Sequence, residues 1–293
     1  MAKSNFQYPH EADPDIFREA LAYSEADKGF TSTLIEKDYY CSLVLHYFFS
    51  KNTLLVFKGG TCLSKVHADF YRLSEDLDLI IPVTGGTTRS QRRAGIKPVK
   101  NLFDKLPSEI PGVTISESFR GHNESRQYIG HLAYRSSVVE KAEKIQVEIG
   151  LRESLIREPE SKTARTIAVN PFNGQPILPT FTVSAMTLKE AYAEKVRAAL
   201  TRREPAIRDF FDLFYAERKI NLNFLDPDFL NMVKAKIEVP GNDPIDISDD
   251  RKQKLDRQLD GQLKPVLRPK DFDGFNLETA FELVRNIAEA LPA

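Results

Sequence analysis

The chain carries only two cysteines, Cys41 and Cys62, in 293 residues. A disulfide scaffold is thereby excluded, and a reducing compartment is expected. Long apolar runs are missing too. The nearest to one, Ser42 to Phe49, is broken by His46 and falls far short of the ~20 residues that span a bilayer. The opening MAKSNFQYPHE holds no apolar leader core, so the expectation is a cytoplasmic protein with no membrane partner. Charge of one sign is not in excess either: 41 Lys plus Arg stand against 42 Asp plus Glu, a net −1. That balance rules out a generally basic nucleic-acid coat while permitting a local basic groove. The histidines His10, His46, His67, His122 and His131 lack metal-ligand spacing, which argues against a zinc site. No G-x-x-x-x-G-K-[ST] loop occurs, which argues against a P-loop ATPase. Internal repeats and long low-complexity tracts are also absent.

What is present is ordinary globular material, 41% hydrophobic and 28% charged, long enough for about two domains. Asp13 and Pro14 predict the start of a helix carrying Ile16, Phe17, Ala20, Leu21 and Tyr23. A second helix is expected from about Ser32, as its cap, to Phe49. Leu54 to Phe57 reads as a strand ending in Lys58-Gly59-Gly60. A short helix after Thr61 and a strand at Leu77 to Ile81 complete a strand–turn–helix–strand unit, closed by Pro82 and Thr84-Gly85-Gly86-Thr87. Three strands are expected at Val113 to Phe119, Tyr128 to Tyr134 and Ile145 to Leu151, the last with apolar residues at every second position. Residues 152–186, rich in Pro, Thr and Arg, read as an irregular connector. From Thr187 the pattern turns helical, with Thr187 to Glu190 as a capping box. These boundaries predict an α/β domain over 1–183 and a helical domain over 184–293.

The informative stretch is FKGGTCLSK, residues 57–65, followed by RLSEDLDLII, residues 72–81. Two glycines after a strand let a backbone approach a phosphate, and the next helix start offers unpaired N–H groups. Thr61 and Ser64 add hydroxyls there. Asp76 and Asp78, two apart on a strand, share a face while Leu77 and Leu79 take the other. Paired carboxylates facing such a turn are what magnesium ions bridging a triphosphate require. Gly-Gly or D-x-D alone is more often only a turn or a solvated strand end. The conjunction is far more specific.

GG-T-x-L-S followed by R-x-S-E-D-L-D-L resembles the nucleotide-binding core of the polymerase β-type nucleotidyltransferase superfamily. More narrowly, it is similar to the AbiEii/AbiGii-type toxins, which include the MenT-like enzymes. That family's later signature is visible as Glu194-Lys195-x-Arg197-Ala198 and then Arg208-Asp209-x-x-Asp212-Leu213. One departure is Gly60-Thr61 where the superfamily more often has Gly-Ser; threonine keeps the hydroxyl. The resemblance implies an α/β (α+β) core, a small mixed sheet with flanking helices, plus a C-terminal helical domain completing the cleft.

It also implies a third acid on a later strand. Glu148 is the candidate, as a metal ligand or simply a solvent-facing residue. On the helix from Thr187, Leu188, Tyr192, Val196 and Ala199 predict a buried stripe. Lys195 beside it must snorkel outward or meet an anion, a phosphate or Asp209. Arg208 and Asp212 fit a structural i, i+4 pair. Cys62 reads as a packing residue and Asp249 to Lys264 as a solvated charged helix.

The implied chemistry is nucleotidyl transfer, with pyrophosphate released from a nucleoside triphosphate. Gly59, Gly60, Thr61, Ser64 and Lys65 are assigned to the triphosphate. Asp76 and Asp78, with Glu148, are assigned to two Mg2+ ions, and Lys195 and Asp209 join Asp76 and Asp78 as catalytic residues. The resemblance implies an RNA acceptor, the tRNA 3′ end, so that translation is blocked, and a cognate antitoxin as partner. Basic residues available to RNA are Arg89, Arg92, Arg93, Lys97 and Lys100, and Arg197, Arg202, Arg203 and Arg208. Transfer to a protein hydroxyl, or a catalytically idle nucleotide-binding module, stand as alternatives.

Overall fold

A computed structural model describes residues 7–51, 54–152 and 154–292. The leader reading falls largely on residues 1–6, outside the described residues. The chain divides into two compact units, residues 1–154 with 159–185, and residues 155–158 with 186–293.

The first unit opens with α1 (Pro9–Ala12), α2 (Pro14–Lys28) and α3 (Ser32–Ser50). Asp13 caps α2 as expected, its carboxylate accepting from the Ile16 N–H at 3.0 Å. The cap of α3 is Thr31 rather than Ser32: the Thr31 hydroxyl accepts from Leu34 N, three residues on, where an N-cap must reach. There follow β1 (Val56–Lys58), α4 (Gly59–Cys62) running into a π-helical turn at Leu63–His67, β2 (Leu77–Ile80) and α5 (Arg89–Glu109). Then come β3 (Val113–His122), β4 (Gln127–Arg135), β5 (Ala142–Gly150), β6 (Glu160–Ala164) and β7 (Phe181–Ala185).

The seven strands form one mixed sheet in the order β3-β4-β5-β2-β1-β7-β6. The mixed α/β core is therefore present, but larger than expected, because the stretch read as a connector supplies two strands. Glu160–Ala164 is an edge strand with a single buried residue, Ala164, so it carries no alternation to read. β7 pairs in parallel with β1 inside the sheet, and only Val183 and Ala185 mark its buried face.

Alternation along the central strands separates two faces. Leu77 and Leu79 of β2, Val147 and Ile149 of β5, and Tyr128, Leu132 and Tyr134 of β4 are buried. The α3 and α5 helices cover that side: Tyr40 of α3 stacks on Tyr134 with ring centroids 4.0 Å apart, and a Cβ on Gly130 would lie 3.0 Å from Phe103 of α5. The other face carries Asp78, Glu148, Gln146 and His131, all half-buried.

α3 is packed on nearly every side, against α2, α5 and the sheet, and two of its acids are sealed inside. Glu36 accepts from Ser137 N at 2.7 Å and Ser137 Oγ at 2.6 Å, fixing the turn between β4 and β5. Asp38 accepts from Lys65 Nζ at 2.5 Å and from Thr166 Oγ1 and Ile167 N, each at 2.9 Å. Buried carboxylates with this many donors are satisfied rather than strained.

The second unit holds α6 (Leu188–Thr201), α7 (Ile207–Tyr215), α8 (Pro227–Ile237), α9 (Asp249–Asp256), α10 (Pro269–Asp273) and α11 (Leu277–Glu289). Thr187 caps α6 through Glu190 N, but the return half of the capping box is not made. The Glu190 carboxylate is buried and accepts instead from Ile156 N and Arg157 N, each at 2.9 Å, beside Lys236 Nζ at 2.7 Å. The buried stripe holds at Tyr192, Val196 and Ala199, while Leu188 is half-exposed. Asp249 to Lys264 is not a purely solvated helix. Arg251 is buried and donates to the carbonyls of Ala199 and Arg202, covering acceptors that the last turn of α6 leaves unpaired. Among the described residues no helix is long and apolar enough to cross a membrane.

Candidate active site

The turn after β1 is built from two close contacts. Gly59 has φ +75°, and a Cβ there would lie 2.2 Å from Oδ2 of Asp78. Both the dihedral and the contact demand glycine. The result is a carboxylate resting directly on the backbone that opens α4. Lys58, the N-cap of α4, provides no side-chain cap. A Cβ on Gly60 would meet Nη2 of Arg72 at 2.3 Å, and Arg72 is buried with Nη1 donating to the Leu73 carbonyl at 3.3 Å. The turn therefore lies between an acid and a buried guanidinium.

Strand register extends the site sideways. Lys58 pairs with Asp78 across β1 and β2, and Asp78 pairs with Glu148 across β2 and β5. Paired residues on neighbouring strands share a face, about 4.8 Å apart. Lys58, Asp78 and Glu148 thus stand abreast, on the face opposite Leu77 and Val147. Asp76 lies just before β2, and its carbonyl accepts from the Thr61 hydroxyl, which ties the acidic loop to the glycine turn.

The structure separates the rest of the phosphate set from this face. Thr61, Ser64 and Lys65 share one side of the helical turn, and that side is buried. Ser64 donates back to the Thr61 carbonyl at 3.1 Å. Lys65 Nζ is enclosed, bonded to Asp38, to Ser42 Oγ at 2.7 Å and to the Arg165 carbonyl at 3.4 Å. Its side chain is 0% exposed, so its charge is committed to Asp38. Cys62 is buried, and burial pushes its thiol well above the ordinary range, the state of a packing residue.

Among the described residues no group of three or more His, Cys, Asp or Glu side chains is gathered to hold a metal ion. The chemistry of the donors nonetheless fits magnesium, which takes hard oxygen ligands and usually one or two carboxylates, completed by substrate phosphates. Asp78 and Glu148 are two carboxylates paired in register on neighbouring strands, and Asp76 stands two residues before Asp78 in the chain.

In the second unit, Lys195 of α6 meets both acids of α7, Asp209 Oδ1 at 2.7 Å and Asp212 Oδ2 at 2.9 Å. Arg202 adds a contact to Asp209 Oδ2 at 3.2 Å. Asp212 is thus the partner of Lys195 rather than of Arg208 as expected. Burial alone would raise the Asp209 carboxyl, but Lys195 and Arg202 outweigh it and hold the group below the usual carboxylate range. Glu194 pairs with Arg197 at 2.9 Å and with Lys236 at 3.3 Å, so the charged signature of α6 is tied into one interhelical network.

The first basic group is smaller than its sequence. Arg92 is buried, donating to the carbonyls of Thr87 and Glu124, and Lys100 sits over the Tyr128 ring at 4.7 Å. Arg89, Arg93 and Lys97 remain exposed, four apart, as one ridge of α5. Of the second group, Arg197 and Arg202 are held in ion pairs.

Sequence reasoning left Arg72 without a role, although it opens the R-x-S-E-D-L-D-L motif. It also missed Asp38, which lies inside an apolar helical pattern with no local signal of its partner.

A glycine turn joining strand to helix thus lies beside carboxylates on the next two strands of a mixed sheet. A model of the "Nucleotidyl transferase AbiEii toxin, Type IV TA system" family matches residues 46–283, and the chain belongs to that family. Membership implies a nucleotide substrate and an antitoxin partner. Among solved structures, the chain is similar to JHP933 from Helicobacter pylori, with 17% identity over 89% of this chain and 93% of that one and a TM-score of 0.52, a likeness of fold. A second H. pylori structure, provisionally named a nucleotidyltransferase, matches at 17% identity over 98% of this chain and 100% of that one, with a TM-score of 0.43. No curated protein matches the chain.

Proposed function

We propose that the protein transfers a nucleoside monophosphate from an NTP to a hydroxyl of an RNA acceptor, the tRNA 3′ end, and so arrests translation as a toxin. The observation that carries this reading is the Asp78 carboxylate resting on Gly59 with Glu148 abreast of it. Backbone N–H groups at Gly59 and Gly60, uncapped by Lys58, bind the triphosphate, while the side chains of Thr61, Ser64 and Lys65 hold the turn in shape from beneath.

Asp76, Asp78 and Glu148 would hold Mg2+, two ions in the full reading. The chemistry it would supply there is neutralisation of charge on the α-phosphate and the leaving oxygens. The acceptor O–Pα bond forms as the Pα–O bond to pyrophosphate breaks; pyrophosphate leaves with the electron pair and the hydroxyl proton passes to solvent. Catalysis by the chain itself is positioning and fixed electrostatics. Lys195 and Asp209 are proposed as functional residues of the second unit, and Arg89, Arg93 and Lys97 as contacts to RNA phosphates.

The test is incubation of the purified protein with total RNA, magnesium and each α-labelled NTP in turn. Label in a tRNA-sized band with one preferred triphosphate is expected. Label only on polypeptide, or none on any acceptor, overturns the reading.

A further inference from the structure

The open face of the sheet continues past Glu148. Across β5, β4 and β3, Glu148 pairs with Ile129 and Ile129 with Arg120, while Gln146 pairs with His131 and His131 with Glu117. Register therefore lays two short rows beside the carboxylates: Asp78, Glu148, Ile129, Arg120 in one, and Gln146, His131, Glu117 in the other. Gln146, Ile129 and His131 are half-buried and Arg120 is exposed. None of them feeds the core, since the alternate residues Ile145, Val147, Leu132 and Tyr128 do that.

Transfer chemistry gives this face a direction. Attacking and leaving oxygens lie roughly in line across the reacting phosphorus. The glycine turn, to which the proposed function assigns the leaving pyrophosphate, joins β1 and lies on one side of Asp78. β5 lies on the other, the side that an in-line attack would leave to the acceptor hydroxyl.

We propose that the face formed by Gln146, His131 and Ile129 is the acceptor subsite, with Arg120 at its edge taking a phosphate of the incoming strand. The inference rests on the RNA reading above and names the residues that would position that RNA. Ile129 offers an apolar seat to a base or ribose. The Gln146 amide presents both a donor and an acceptor, and His131 a ring nitrogen, matching the mixed edges of an unpaired nucleotide. Glu117 Oε2 stands 3.5 Å from His131 Nδ1, on the β3 side of the ring. Lys144, 3.8 Å from the other Glu117 oxygen, offsets the carboxylate that RNA would otherwise meet. Gln146 and His131 are positioning residues in this scheme, since neither holds the NTP.

The experiment compares wild type with the Gln146→Ala/His131→Ala double variant in steady-state transfer from α-labelled NTP to a purified tRNA fraction, with magnesium present. The expected result is a rise of about tenfold or more in KM for RNA, the scale of two lost hydrogen bonds. KM for the NTP should stay within about twofold, and the thermal midpoint should be unchanged. The near-isosteric Gln146→Glu and His131→Gln singles test the contacts without emptying the face, and His131→Gln should recover part of the loss. An unchanged KM for RNA, or equal rises for RNA and NTP, overturns the subsite. If wild type itself labels no RNA, the acceptor reading falls and this inference with it. If wild type labels RNA and the double variant matches it, only the subsite falls.

Discussion

Asp38 and Asp78 are aspartates of the same unit with opposite surroundings. Asp38 is sealed, its charge answered by Lys65 and by two further donors. Asp78 is half-open on the polar face of the sheet, with a backbone turn on one side and a second carboxylate, Glu148, on the other. A sealed charge with all its partners holds elements together. A carboxylate paired in register with another carboxylate, beside a glycine turn, offers the hard oxygen donors that a divalent cation takes. The comparison predicts that one aspartate system governs stability and the other activity.

The largest effect should come from the sealed side. Lys65→Met leaves the Asp38 charge buried without its cation and should cost about 3–5 kcal/mol of stability. Urea unfolding measures it, while transfer activity per folded molecule stays near wild type. A large loss of activity at retained stability would instead give Lys65 a place in the chemistry. Next in size is Asp78→Asn. It should lower transfer about 10²- to 10³-fold, the scale of one lost electrostatic stabiliser, without moving the unfolding midpoint.

Lys195→Met extends the comparison to the second unit and should cost about 2–3 kcal/mol, less than Lys65→Met because Arg202 still faces Asp209. It carries a pH signature. The depressed Asp209 carboxyl contributes stability that is fully present above its unfolded value of about 3.9 and is lost as pH falls through the lower folded value. Removing Lys195 lets burial raise that carboxyl, so acid unfolding followed by circular dichroism should begin at higher pH. The smallest effect on stability, within about 0.5 kcal/mol, belongs to the Arg89→Ala/Arg93→Ala/Lys97→Ala triple variant. Its signature is RNA binding whose salt dependence weakens by about three counterions.

What the sequence revealed follows from how local the cause was. The two strands with period-two burial, Gln127–Arg135 and Ala142–Gly150, announce themselves through alternation, while Val113–His122, with only Val113 and Phe119 buried, is marked by its β-rich composition. The same alternation placed Asp78 opposite the buried Leu77 and Leu79, whereas Asp76 precedes the strand. Glu160–Ala164 stayed hidden because an edge strand needs little apolar content. Thr61, Ser64 and Lys65 were drawn to the phosphate side by their nearness to the glycines; their i, i+3, i+4 spacing put them on one helical side, but only packing decides that this side faces inward. Glu190 satisfies the capping-box pattern in sequence, yet its partner is Lys236, which no local spacing could supply.

The most direct test is a calorimetric titration of wild type and Asp78→Asn with the preferred NTP, each in magnesium and in EDTA. Wild type should bind tightly only with magnesium, and Asp78→Asn should lose that magnesium-dependent gain while melting at the same temperature. Equal magnesium-dependent affinity in both proteins would contradict the assignment of the Asp78 face to the metal-bound nucleotide.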